Sequence, residues 1–288
     1  MKFALGTVQF GLQYGVSNSN GRVTIEEADA IIQRAQLFGM DTLDTAIAYG
    51  DSENVLGQIG VGDWKVITKL PALPDVCDDI TQWVYDQIQQ SITRLRVPKL
   101  HGVMLHRPAQ LLGSMGPRLF EALQNIKTQG MTQKIGISIY SAAELLPLLN
   151  NFNFDIVQAP LNLMDRVFEE SGWAKRLHGE GIEVHTRSSF LQGLLLMDAT
   201  QRPAKFDRWA DYWRVWDDWL NTEGITPIQG CLRYVANLED IDRVVVGVDT
   251  AAQLIQLIAA ADGELSSLPK FNSLQDARLI NPATWGQL

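Results

Sequence analysis

Eight short apolar runs, each followed by a stretch of helical period, recur along the whole sequence, and no other feature limits its possible folds so strongly. The runs are FALGTV (3–8), TLDTA (42–46), KVITKL (65–70), GVMLH (102–106), IGISI (135–139), DIVQAP (155–160), EVHTRS (183–188) and RVVVGV (243–248). Helical spacing covers residues 24–39, 52–60, 79–95, 117–130, 141–151, 172–181, 226–239 and 250–261, and several of these segments end on glycine, a good helix C-cap. Eight strand–helix units with no linker rich in Pro, Ser or charge predict an α/β fold of the (β/α)8, or TIM barrel, type as a single domain over residues 1–288. A doubly wound sheet rarely needs eight units. Residues outside the repeat fall at 189–225, after the seventh strand, and at 263–288, in a C-terminal tail; both are expected to border the active site.

Composition narrows the class of function. With 46% hydrophobic and 20% charged residues, the 288-residue chain resembles an ordinary globular protein able to bury one large core. A formal net charge of -9, without a basic patch to oppose it, repels nucleic acid and anionic membrane. Cys77 and Cys231 show neither CxxC nor ligand spacing, so no disulfide framework and no metal site are expected. The start MKFALGTVQFG holds only FALG between Lys2 and polar or glycine residues, too short for a signal-peptide core, and no apolar run approaches membrane-spanning length. A cytoplasmic protein without nucleic-acid or membrane partners is the expectation.

Trp209, Trp213, Trp216 and Leu220 recur at spacings of four, three and four, a helical stripe. The stripe either packs a helix onto the barrel or forms an apolar wall for a substrate.

Side chains two apart share a face of a strand, so Asp44 lies with Thr42, Lys69 with Ile67 and His106 with Met104. Each polar residue closes its strand, and in a parallel barrel the C-terminal ends of strands two, three and four meet side by side at one mouth. Taken singly, Asp44 is a turn cap, Tyr49 a packed ring, Lys69 a snorkelling lysine and His106 a satisfied histidine. Together they are costly for a passive core, because charged groups resist burial without partners. A nearby ammonium lowers a phenol's pKa, so Lys69 is expected to tune Tyr49, Asp44 to hold Lys69, and His106 to orient a carbonyl beside the tyrosine. The set suits proton delivery to a carbonyl oxygen.

The runs GMDTLDTAIAYGDSE, VITKL, LHRP, KIGISIYSAAEL, DIVQAPLN and LQGLL, in that order, resemble the serial motifs of the aldo-keto reductase superfamily. The resemblance implies a (β/α)8 barrel that reduces a small-molecule aldehyde or ketone with NAD(P)H, with the family's four catalytic residues matching Asp44, Tyr49, Lys69 and His106. It places carboxamide-binding positions on Ser138 and Gln158, and further cofactor contacts on Arg187, Ser188, Gly247, Asp249 and Gln253.

The sequence departs from the family pattern at three places. Ile139 stands where an asparagine usually follows Ser138, which removes an amide contact to the cofactor. Arg187 replaces the usual aromatic ring after strand seven, and a guanidinium there should disfavour the oxidised, cationic nicotinamide; His185, on the same face, is its packed neighbour. In GVDTAAQLIQL (247–257), Asp249 and Leu257 replace basic and asparagine positions; Asp249 is also a good N-cap for the helix that follows. Family precedent favours NADPH, whereas a carboxylate at that helix start repels a 2′-phosphate, so NADH is expected to bind at least as well. Two rival readings remain: a cofactor-binding member that acts as a sensor or partner protein without turnover, favoured by Ile139 and Leu257, and an aldolase-like barrel using Lys69 as a Schiff-base nucleophile.

Overall fold

Each apolar run becomes a strand: β1 (Phe3–Gly6), β2 (Thr42–Asp44), β3 (Lys65–Leu70), β4 (Leu100–Leu105), β5 (Thr132–Ser138), β6 (Ile156–Pro160), β7 (Glu183–Arg187) and β8 (Arg243–Gly247). The computed structural model describes residues 1–16, 18, 21–271 and 276–287, so residues 272–275 and 288 of the C-terminal tail lie outside the described residues. The strands are parallel and follow chain order around a closed barrel, β8 pairing back to β1 through Leu5 opposite Val246. This is the (β/α)8 fold that the alternating runs predict.

The helices form where a cap and an apolar stripe coincide. Thr24 accepts the Glu27 N–H at the start of Ile25–Leu37, which buries Ala28, Ile31, Ile32 and Ala35. Asp79 caps Ile80–Leu95 in the same way, and that helix buries Val84, Ile88, Ser91 and Leu95. Inside the barrel, Ile67, Met104 and Ile156 form a separate apolar layer beneath the polar strand ends. Gly102 makes room for it, since a Cβ there would lie 2.8 Å from Ile156 Cδ1.

Several boundaries differ from the sequence expectation. The first strand stops at Gly6 instead of residue 8, because Thr7 turns the chain into a short helix, Val8–Gly11. The expected helix over 141–151 divides into a 3-10 turn, Ala142–Glu144, and a helix, Leu145–Leu149. Trp209, Trp213, Trp216 and Leu220 are all buried, so the stripe packs the helix Ala210–Glu223 onto the protein. Among the described residues, no helix is long and apolar enough to cross a membrane.

Candidate active site

The strand register sets the polar ends side by side. Asp44 pairs with Ile67 across β2 and β3, and Lys69 with Met104 across β3 and β4, so three adjacent strands deliver Asp44, Lys69 and His106. Lys69 Nζ donates to Asp44 Oδ1 at 2.6 Å and to the Thr45 carbonyl at 3.1 Å. The second carboxylate oxygen of Asp44 accepts from Gln158 Nε2 at 2.8 Å, and Gln158 Oε1 accepts from Ser138 Oγ at 3.0 Å. Four buried side chains from β2, β3, β5 and β6 therefore form one polar chain across the barrel.

Tyr49 is placed by backbone packing. Ser52, at the start of the helix Ser52–Ile59, donates to the Thr7 carbonyl at 2.9 Å and fixes the turn that carries Tyr49. Gly11 lies against the same turn: a Cβ there would come 1.7 Å from the Tyr49 carbonyl oxygen. The Tyr49 ring stands edge-on to His106, with centroids 5.9 Å apart, and Lys69 Nζ lies 5.2 Å from the Tyr49 centroid.

The electrostatics differ from the sequence expectation at Tyr49. Burial, reinforced by the Asp44 charge, pushes the phenol above its ordinary range, with Arg187 opposing. The expected lowering by Lys69 is absent, because the ammonium is engaged with Asp44; Tyr49 is held as a protonated donor. Burial draws Lys69 below its usual pKa while Asp44 opposes this. His106 falls to about 4, first through burial and then through the Lys69 charge, so its imidazole is neutral near pH 7.

A cavity of about 530 Å³ opens over these residues. Its lining runs from Tyr49, His106 and Ser138, past Arg187 and Ser188, to Gly247, Asp249 and Gln253. Gln158 is fully buried beneath it and contributes through Asp44 and Ser138. Arg187 donates to the Ile139 carbonyl at 2.9 Å and to Ser188 Oγ at 3.2 Å, and its guanidinium lies 4.8 Å from the Tyr140 centroid. The Ile139 side chain is buried, so its carbonyl, and not a side-chain amide, is the polar group offered at that position. His185 packs inside, bonded to Glu183 at 2.9 Å.

One expectation about the borders is corrected and another is given its extent. Thr250, not Asp249, caps the helix Ala251–Ala260, its side chain accepting from Gln253 N at 3.1 Å; Asp249 precedes the cap and faces the cavity. The extra segments contribute only in part: Ser189, Phe190, Gln192, Gly193 and Leu196 line the cavity from the loop after β7, and Pro282 and Ala283 from the tail. Ser188, Leu191 and Gln192 all adopt positive φ, at 67°, 49° and 55°, which winds that loop tightly around the opening.

Sequence reasoning missed Gln9, Tyr14, Tyr140 and Gln192, which also line the cavity. Tyr140 and Tyr14 follow strand ends, so the rule that loops after barrel strands face the mouth was the available signal. Gln9 Oε1 and Ser189 Oγ are buried without a hydrogen-bond partner. Both residues line the cavity, as expected where a polar ligand completes the bonding. A cavity lined by these polar groups is suited to a polar ligand.

The comparisons with known proteins agree with this geometry. The model of the Aldo/keto reductase family matches residues 2–270. A curated relative, oxidoreductase sirO from Leptosphaeria maculans, is 27% identical over 217 residues, which cover 71% of this chain and 64% of the relative; the chain thus spans slightly under two thirds of that protein. The crystal structure of PA4992, an aldo-keto reductase candidate from Pseudomonas aeruginosa, superposes with a TM-score of 0.67 at 20% identity, covering 90% of this chain and 89% of that one. A second structure of an aldo-keto reductase candidate from the same organism gives 0.66 at 19% identity, with coverages of 90% and 88%. At these identities the superpositions speak for the barrel alone, while the family match extends through all eight strands and their polar ends: the chain belongs to the aldo/keto reductase family.

Proposed function

We propose that the protein reduces an aldehyde or ketone to an alcohol with NAD(P)H. The observation that carries this reading is a protonated Tyr49 set edge-on against a neutral His106 in the cavity wall, beside the buried Asp44–Lys69 pair. A bound reduced nicotinamide supplies the hydride to the carbonyl carbon. Tyr49 gives its hydroxyl proton to the carbonyl oxygen as the carbon–oxygen double bond becomes single, and the neutral imidazole of His106 orients that oxygen. Lys69 and Asp44 hold each other in place beside Tyr49 and so fix the geometry of the proton donor. Ser138, Arg187 and Ser188 line this part of the cavity, which supports reading them as the groups that would hold the nicotinamide end.

The far end of the cavity supports NADH as at least an equal of NADPH. At the N-terminus of the helix Ala251–Ala260, the Ala251 N–H donates to Glu27 Oε1 at 2.6 Å and the Gln253 N–H to Thr250 Oγ1 at 3.1 Å. A helix start is an anion site only while such donors are open. Here a carboxylate from the helix Ile25–Leu37 already occupies one, and Asp249 adds a second negative charge at the cavity wall. The ribose 2′-hydroxyl of NADH can donate to Asp249, whereas a 2′-phosphate would face two carboxylates.

Lys69 is 1% exposed and bound to Asp44, which weighs against its use as a Schiff-base nucleophile. The test is consumption of NADH and NADPH over a panel of aldehydes and ketones, run beside Tyr49→Phe and a borohydride trapping control. Turnover lost in the variant supports the reading; binding without turnover in the unmodified protein would replace it with the sensor reading, and a trapped lysine adduct with the aldolase reading.

A further inference from the structure

Beside the cavity, against the ring of Tyr140 that lines it, lies a cation with no ion pair among the described residues. Arg107 directly follows His106 and is exposed, with its guanidinium 5.6 Å from the centroid of the Tyr140 ring. Arg187 approaches the same ring at 4.8 Å. Neither Arg107 nor Arg187 joins an ion pair among the described residues. Arg187 has hydrogen bonds to Ile139 and Ser188, whereas the Arg107 guanidinium makes no hydrogen bond among the described residues.

Charge bookkeeping at the reacting end strengthens the point. Lys69 is balanced by Asp44, and both Arg107 and Arg187 add to the positive potential that, after burial and Lys69, keeps His106 neutral. A chain with a formal charge of -9 therefore concentrates uncompensated positive charge where a substrate enters. The Tyr140 ring can hold a guanidinium by its π face without consuming the charge or the fork of N–H donors, which stays available for a planar or tetrahedral anion. A purely neutral substrate would leave this arrangement without a partner.

We propose, resting on the reductase reading above, that the substrate is a carbonyl compound carrying a carboxylate or phosphate group, and that Arg107, braced on Tyr140, binds this group while Tyr49 and His106 hold the carbonyl oxygen. Arg107 thus determines specificity and takes no part in the hydride or proton step. The competing source of anionic chemistry is the cofactor's pyrophosphate, and the two make different demands. An anionic substrate requires Arg107 for substrate KM, and the pyrophosphate requires it for dinucleotide affinity.

The test pairs each anion with a neutral counterpart at saturating cofactor: 4-carboxybenzaldehyde against its methyl ester, and glyceraldehyde 3-phosphate against glyceraldehyde. At least one anion should exceed its counterpart about ten-fold in kcat/KM, mainly through KM, and the advantage should shrink with added salt. Arg107→Gln should remove most of that advantage, leaving the neutral member and the dissociation constant of NADH within about two-fold of the unmodified protein. Equal use of charged and neutral members, equal loss for both in Arg107→Gln, or a weakening confined to NADH would overturn the proposal. Calorimetric titration of Tyr49→Phe with the same pairs reads the preference without turnover, so a failed reductase reading and a failed charge preference give different results.

Discussion

Asp44 and Lys69 meet at 2.6 Å with side chains 6% and 1% exposed, a buried ion pair whose carboxylate belongs to the cavity lining. Removing one partner leaves the other buried and uncompensated. Lys69→Met is expected to destabilise the fold by about 3–5 kcal/mol as well as abolish turnover, and the double change Asp44→Asn with Lys69→Met should regain part of the stability without activity. Urea unfolding of the two variants beside the unmodified protein checks the order; Lys69→Met as stable as the unmodified protein would contradict the buried-pair account.

Tyr49→Phe deletes only the proton donor. Reduction should fall by about 10²- to 10⁴-fold while NADH affinity, read from tryptophan fluorescence, stays within a few-fold. Because burial and Asp44 raise the phenol's pKa, reduction by the unmodified protein should show no loss from Tyr49 ionisation up to about pH 9. An ionisation limb near neutrality that vanishes in Tyr49→Phe would contradict this environment.

His106 gives a pH dependence with a definite sign. Its folded pKa of about 4 lies below the ordinary value of 6.5, so between these values the unfolded chain binds the additional proton. Stability from this group is complete above the unfolded value and declines as pH falls towards the folded one. Unfolding midpoints measured from pH 7 to pH 4 should therefore drop more steeply for the unmodified protein than for His106→Gln. Parallel curves would show that His106 is not held neutral.

The carboxylates at the start of the helix Ala251–Ala260 are expected to set the choice of dinucleotide. NADPH should bind no more tightly than NADH, and Glu27→Gln, which keeps an acceptor for Ala251 N–H but removes the charge, should improve NADPH binding several-fold while hardly changing NADH. Asp249→Arg should shift the ratio further, most at low salt. Dissociation constants showing NADPH ten-fold tighter in the unmodified protein would refute the charge argument, whatever the fate of the reductase reading.

Much of the fold and of the catalytic set was legible in the sequence, for a reason of geometry. A polar residue that closes an apolar strand has its face fixed by alternation, so Asp44, Lys69 and His106 could be placed together before any coordinates. Tyr49 came from proximity to Asp44, but its electrostatic environment did not, because the sign of its shift depends on how completely Lys69 is engaged by Asp44. Glu27 shows a different limit. Its spacing from Thr24 matches a capping box, in which the carboxylate would return to its own helix, yet it bonds Ala251 across 224 positions of sequence. Arg107 was visible within LHRP, but only its place against the ring of Tyr140, which lines the cavity, distinguishes it from an ordinary surface arginine.

The bond from Gln158 to Asp44 joins residues 114 positions apart and crosses from the sixth strand to the second. Strand pairing alone could assemble the first four strands with Asp44, Lys69 and His106 in register, but the carboxylate would then lack its second partner. Catalytic geometry is in this sense a late product of folding, completed when the ring closes. An N-terminal half of the chain should reproduce the local order of the reacting residues without their rigidity, and co-expression with the complementary half should restore both together.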